Sequence, residues 1–78
     1  MAKLPRDADA RKVVRALGRM GFQVTSVSGS HYKLVHESDP ARILVVPFHG
    51  KLKTGTLAAI LKAARVKVDE FLKVFTIL

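Results

Sequence analysis

FQVTSVSGSHYKLVHESDPARILVVP, residues 22–47, changes the rhythm of the chain and thereby sets its fold class. Upstream of it apolar residues recur at helical spacing; within it the period falls to two. Phe22, Val24 and Ser26 alternate with Gln23, Thr25 and Val27, a β-branched pattern that predicts a half-buried strand. Ser28-Gly29-Ser30 is a turn signal. His31 to His36 then sets Tyr32, Leu34 and His36 on one face, against His31, Lys33 and Val35 on the other. Glu37-Ser38-Asp39-Pro40 breaks that run. Ile43-Leu44-Val45-Val46 follows as a nearly continuous apolar strand, stopped by Pro47. Three such runs with short connections predict an antiparallel meander.

Helical patterns flank the meander. From Asp9 to Gly21, Ala10, Val13, Val14, Leu17 and Met20 recur so that, at about 100° per residue, they share one side of a helix. Arg11, Lys12, Arg15 and Arg19 fall on the other side, with Arg11, Arg15 and Arg19 one turn apart. Asp7 or Asp9 suits the helix start, and Gly18 or Gly21 suits its end. Beyond the strands, Thr54 is the expected N-cap of a helix whose buried stripe is Leu57, Ile60, Leu61 and Ala64. Val68 to Phe75 predicts a last short helix, with Asp69 and Glu70 where the helix dipole favours negative charge. The order is α-β-β-β-α with a short C-terminal helix. The most economical arrangement is a small two-layer α+β domain, with the helices on one sheet face and the other face open to solvent. Its core is expected to draw on Val13, Leu17, Phe22, Leu34, Val45, Leu57 and Ile60.

Composition narrows the function. A chain of 78 residues is expected to form one domain, residues 1–78. It has no cysteine, which excludes disulfides, thiolate metal sites and a cysteine nucleophile. The start, MAKLPRDADA, lacks the apolar segment of a secretory signal. The longest stretch without a polar residue, Ile43 to Phe48, falls far short of the ~20 residues that span a bilayer. These features predict a cytoplasmic protein that does not engage membranes. Fourteen Lys and Arg against six Asp and Glu leave a net charge of +8, which suits a polyanionic partner.

Three segments, taken together, resemble the HicA (YcfA-like) toxins, the mRNA interferases of toxin–antitoxin pairs. They are the helix end running from Leu17 to Phe22, Gly29-Ser30-His31 at the head of a strand, and VPFHGKLKTGTLAAILKAA from Val46 to Ala64, followed by Asp69-Glu70-Phe71. The likeness runs in order through residues 10–72, which makes it far more specific than any one triplet. Arg65 stands where the family commonly has a helix-ending glycine, and Lys67 where it commonly has a capping serine or threonine. The resemblance implies a fold similar to the double-stranded-RNA-binding domain. It also implies an endoribonuclease that cleaves mRNA through the strand histidine, His31, and a HicB-type antitoxin that neutralises it in a hetero-oligomer.

The residues themselves fit that chemistry. RNA cleavage needs a group that moves a proton near neutrality, and imidazole is the side chain suited to it. Lys33, on the same strand face as His31, offers a cation for a phosphate. Gly29 gives the turn backbone freedom, and Ser30 offers a hydroxyl and an amide. His36 falls on the opposite face and reads as structural. His49 opens HGKLKTGT, where Lys51 and Lys53 are expected to hold the RNA backbone at a helix start and His49 to be a second catalytic or binding group. Arg11, Arg15 and Arg19 extend the basic surface. Three histidines without metal-ligand spacing and no tight carboxylate cluster point to cleavage without metal or cofactor. The alternative is a non-catalytic RNA-binding module of the same fold.

Overall fold

Asp9 starts the first helix: its backbone stays extended and its carboxylate accepts the Arg11 N–H at 2.9 Å. The architecture is that of a computed structural model describing residues 3–78. In chain order it has β1 (Asp7–Asp9), α1 (Ala10–Arg19), β2 (Phe22–Ser28), β3 (His31–His36), β4 (Ile43–Pro47), β5 (Lys51–Lys53), α2 (Thr54–Ala64) and α3 (Val68–Phe75). Strands β2, β3 and β4 form an antiparallel sheet with β3 in the middle. The α+β class and the dsRBD-like order of helix, meander and helix agree with the sequence reading.

The helices cover one face of this sheet. α1 buries Ala10, Val13, Ala16 and Leu17, and α2 buries the expected Leu57, Ile60, Leu61 and Ala64. Against them the sheet contributes Phe22, Leu34, Leu44 and Val46, and α3 adds the stacked pair Phe71 and Phe75. Among the described residues every fully buried side chain is apolar. None of the described helices is long and apolar enough to cross a membrane.

Val45 departs from the expected core. It pairs with Lys33, whereas Leu44 pairs with the buried Leu34, so strict alternation turns Val45 outward at 49% exposure. Val46, fully buried, takes its place. The continuous apolar run Ile43–Val46 concealed the period. A bulge alters β2 in a similar way. The register slips between Val24 and Ser26, leaving Thr25 as the extra residue, with its hydroxyl donating to the Lys33 carbonyl. Beyond the slip Val27 pairs with Tyr32 and Ser26 with Lys33, the reverse of the simple alternation. Lys12 also departs from its expected place on the outer basic face. It is half-buried, and its ammonium lies 4.5 Å from the centre of the Phe75 ring on α3.

A two-stranded ribbon was not foreseen at all. β1 pairs antiparallel with β5, setting Asp7 opposite Lys53, Ala8 opposite Leu52 and Asp9 opposite Lys51. Ala8 and Leu52 are buried, while the flanking acid–base pairs face outward. Opposite charges directly across a ladder contribute roughly 0.2–1 kcal/mol each. The ribbon leads directly into α2, whose N-cap is Lys53 rather than the expected Thr54. The Thr54 hydroxyl instead donates to the Pro5 carbonyl at 3.0 Å, tying the N-terminal segment to this helix.

Two helix ends lack their favoured residues. Arg65 closes α2 in the left-handed region, at φ 57°, with its N–H on the Lys62 carbonyl and the Val66 N–H on the Leu61 carbonyl. Lys67 caps α3 without a side-chain hydrogen bond. Arg65→Gly is therefore expected to remove about 1 kcal/mol of left-handed strain, and Lys67→Ser to add a cap of about 1 kcal/mol. For a domain of this size each change should raise Tm by about 4–8 °C. Thermal unfolding of the two single variants checks this; an unchanged or lower Tm would refute the corresponding account.

Candidate functional site

The site begins at a two-residue connection. Ser28 pairs with His31, so Gly29 and Ser30 alone turn the chain from β2 into β3. Gly29 sits at φ 58° in open space, where the backbone conformation and not the room available favours glycine. His31 is thus the first residue of the central strand, paired on one side with Ser28 and on the other with Pro47. Its backbone is held from both sides, yet its side chain is exposed. Lys33, also exposed, lies two residues along the same open face, about 7 Å away at strand spacing. Val35 on β3 and Ile43, Val45 and Pro47 on β4 share that face. The expected neighbourhood of His31 and Lys33 is present.

A groove of about 320 Å³ runs beside His31. Leu44, Val45 and Pro47 of β4 form one wall, and Thr56, Ala59, Ile60 and Ala63 of α2 form the other. Apart from the imidazole and the Thr56 hydroxyl, its side chains are apolar. None of the basic residues expected to grip RNA lines it.

Three of them gather at the β4–β5 connection. A second, open cleft of about 440 Å³ is lined by Asp9, Ala10, Arg11, Phe48, His49, Gly50 and Lys51. Two backbone hydrogen bonds assemble it. The Ala10 N–H donates to the Gly50 carbonyl at 3.1 Å, and the Phe48 N–H donates to the Ser30 carbonyl. Gly50 turns at φ 62°. Phe48 is held from behind by Tyr32, with ring centres 4.1 Å apart and planes 14° from parallel.

Arg11, His49 and Lys51, which the sequence assigns to two segments, the first helix and HGKLKTGT, thus share one cleft, while His31 borders the other cavity. Arg15 and Arg19 are exposed and continue from Arg11 along α1, placing Arg19 about 12 Å down the helix axis from it. Lys51 and Lys53 lead into α2, at a helix start as expected, but from a short strand. They sit on β5 opposite Asp9 and Asp7, so each has an acidic residue directly across the ladder.

His36, as expected, is structural. Its ring meets Phe22 edge-on at 5.0 Å, and Nδ1 accepts the Ser38 N–H at 3.1 Å. It also packs against Gly21, where an added Cβ would come within 2.8 Å of Nε2. Asp9 and Phe48 went unrecognised as cleft residues, because one reads only as a cap and the other as the end of an apolar run. Among the described residues no group of three His, Cys, Asp or Glu side chains is placed to hold a metal ion.

The geometry can be set beside known proteins. No curated protein matches the chain. A family model described as the HicA toxin of bacterial toxin–antitoxin matches residues 10–66, from the first residue of α1 to the turn that closes α2. That span contains the Gly29–Ser30 turn, His31, the β4 wall of the groove, the β4–β5 connection at the cleft and the whole of α2. The chain belongs to the HicA toxin family, and the toxin–antitoxin character of that family implies an antitoxin as its partner.

Proposed function

We propose that the protein is an endoribonuclease toxin that binds and cleaves mRNA in the cytoplasm, with His31 as its proton-transfer group. One observation carries this reading. His31 has a fixed backbone and an exposed ring at the head of the central strand, with Lys33 next along the same face. A rigid mount with a free imidazole suits acid–base work and contributes little to a core. In the reaction, the imidazole takes the proton of a ribose 2′-hydroxyl as that oxygen bonds to the adjacent phosphorus. The bond from phosphorus to the 5′-oxygen breaks, and the leaving oxygen receives a proton from the imidazolium or from water. The products are a 2′,3′-cyclic phosphate and a 5′-hydroxyl end. Lys33 stabilises charge on the non-bridging oxygens, while Gly29 and Ser30 let the backbone approach closely.

Arg11, Arg15, Arg19, His49, Lys51 and Lys53 hold the RNA along a basic end and one helix face. A HicB-type antitoxin neutralises the toxin by covering His31 in a hetero-oligomer. The apolar groove beside the imidazole is suited to a protein surface and poorly suited to a phosphate chain.

His31→Ala should lower the RNA cleavage rate by about 10²–10⁴-fold while changing stability by about 0.5 kcal/mol or less. RNA and antitoxin binding should survive. The check is a paired measurement of cleavage and thermal unfolding on both purified proteins. Wild-type cleavage by the variant would move catalysis elsewhere, with His49 the next candidate. A wild-type protein that binds RNA and never cleaves it would establish the binding-module alternative.

Salt dependence tests the grip. The log of RNA affinity should fall linearly with the log of salt, and Arg15→Gln or Arg19→Gln should each reduce the slope by about 1. Lys53→Gln should reduce it less, because Asp7 faces that lysine across the ribbon. Equal slopes in all four proteins would remove these residues from the RNA surface.

A further inference from the structure

Cations, an aromatic wall and a carboxylate meet in the cleft between the start of α1 and the β4–β5 connection. Its volume, about 440 Å³, falls within the range of roughly 300–1,000 Å³ found for small-ligand sites. Arg11 and Lys51 bring two positive charges and Asp9 one negative, a balance of 2 − 1 = +1 before any contribution from His49. Asp9 already accepts the Arg11 N–H and stands opposite Lys51, so it is a partly engaged acceptor and not an unpaired charge. Phe48 is half-buried and backed by Tyr32, which leaves a braced ring at the cleft wall. A purely anionic ligand would use the cations and waste the ring. A purely apolar one would strand the cations.

We infer that this cleft binds one nucleoside monophosphate unit, with its phosphate held by Arg11 and Lys51 and its base against Phe48, and that the unit belongs to an RNA strand also passing His31. The second part rests on the ribonuclease reading. It is supported by proximity: Pro47 pairs with His31, and the next residue, Phe48, bonds to Ser30 and forms the cleft wall. His49 lies two residues beyond Pro47, the partner of His31, so the two levels are at most about 7 Å apart. A strand crossing this end of the sheet would therefore reach the cleft within one or two nucleotides of the reacting phosphate. Asp9 remains available to accept from a base amine, which would make the cleft selective among bases.

The test is an amide-resolved NMR titration of the wild-type protein with AMP, adenosine and inorganic phosphate, followed by competition of AMP against a short RNA. AMP should shift the amides of Ala10, Arg11, His49, Gly50 and Lys51. It should bind about fivefold or more tightly than inorganic phosphate, as one stacked base allows, and more tightly than adenosine. Arg11→Gln, at an exposed position, should weaken AMP by roughly tenfold through loss of a charge-assisted contact. Phe48→Leu should weaken AMP toward the level of phosphate while the spectrum stays that of a folded protein. RNA should displace AMP.

Shifts centred on His31 and Lys33, or equal affinity for AMP and phosphate, would overturn the nucleotide assignment. AMP bound in the cleft but indifferent to RNA would make it a free-nucleotide site and overturn the RNA part. None of these readouts measures cleavage. A protein that binds AMP here in competition with RNA yet leaves RNA intact would sink only the ribonuclease reading. A His31-dependent ribonuclease with a silent cleft would sink only this one.

Discussion

The burial of Leu34 governs the rest of the molecule. Leu34 is fully buried in the middle of β3, between Val24 on one neighbouring strand and Leu44 on the other. Strand side chains alternate without exception in a regular ladder, so committing Leu34 to the helices commits His31, Lys33 and Val35 to the open face. A one-residue slip would bury the imidazole and the ammonium and expose the core. The two-residue turn at Gly29–Ser30 guards against that slip, because its length sets which residues of β2 and β3 stand opposite each other. The exposure of His31 thus follows from hydrophobic burial three residues away.

The legible parts of the fold were those with a long enough period. The α2 stripe of Leu57, Ile60, Leu61 and Ala64, the span Val68–Phe75 and the hairpin at Gly29 could all be read directly, since each repeats or breaks a pattern over many residues. Asp7–Asp9 and Lys51–Lys53 are three residues each, too short to show a period, so their pairing becomes visible only in three dimensions. Val45 and Val46 are chemically the same residue, and only the register against Lys33 and Tyr32 separates the exposed one from the buried one. Lys12 belongs to the same class. On the helical wheel it looks like part of a solvated stripe, and only the arrival of α3 gives its stem and charge an aromatic partner.

Of the candidate site, the local part was legible and the assembled part was not. His31 beside Lys33 follows from one strand's alternation. The meeting of Arg11, His49 and Lys51 requires the Ala10–Gly50 hydrogen bond and the β1–β5 ribbon, both contacts between residues about forty positions apart in sequence. The same distant pairing corrects the electrostatics. Lys51 and Lys53 look like free cations in the sequence, whereas the ribbon sets an aspartate across from each. Arg42 illustrates the point from the structural side. It reads as one more surface charge, yet its Nε donates to the last carbonyl of α2, Ala64, at 2.8 Å, and its guanidinium lies 5.3 Å from the centre of the Phe22 ring. A basic composition therefore does not by itself say which cations face a ligand.

What remains available is divided by chemistry around the end of β4. Pro47 and Val45 border the apolar groove with His31, and Phe48, the next residue along, borders the cationic cleft. Alternation produces this division too, since Phe48 turns toward the helix side with Tyr32 while Pro47 turns with His31 to the open side. The two cavities consequently reward different ligands. Burial of apolar surface contributes about 25 cal/mol per Å² and is little affected by moderate salt. Contacts between cations and phosphates draw on counterion release and weaken as salt rises. A protein partner can gain its affinity in the groove without neutralising Arg11 or Lys51, and a polyanion can gain its affinity in the cleft without entering the groove. The two cavities adjoin where Pro47 pairs with His31 and Phe48, the next residue, bonds back to Ser30, so the apolar and the cationic surfaces stand one residue apart along the chain.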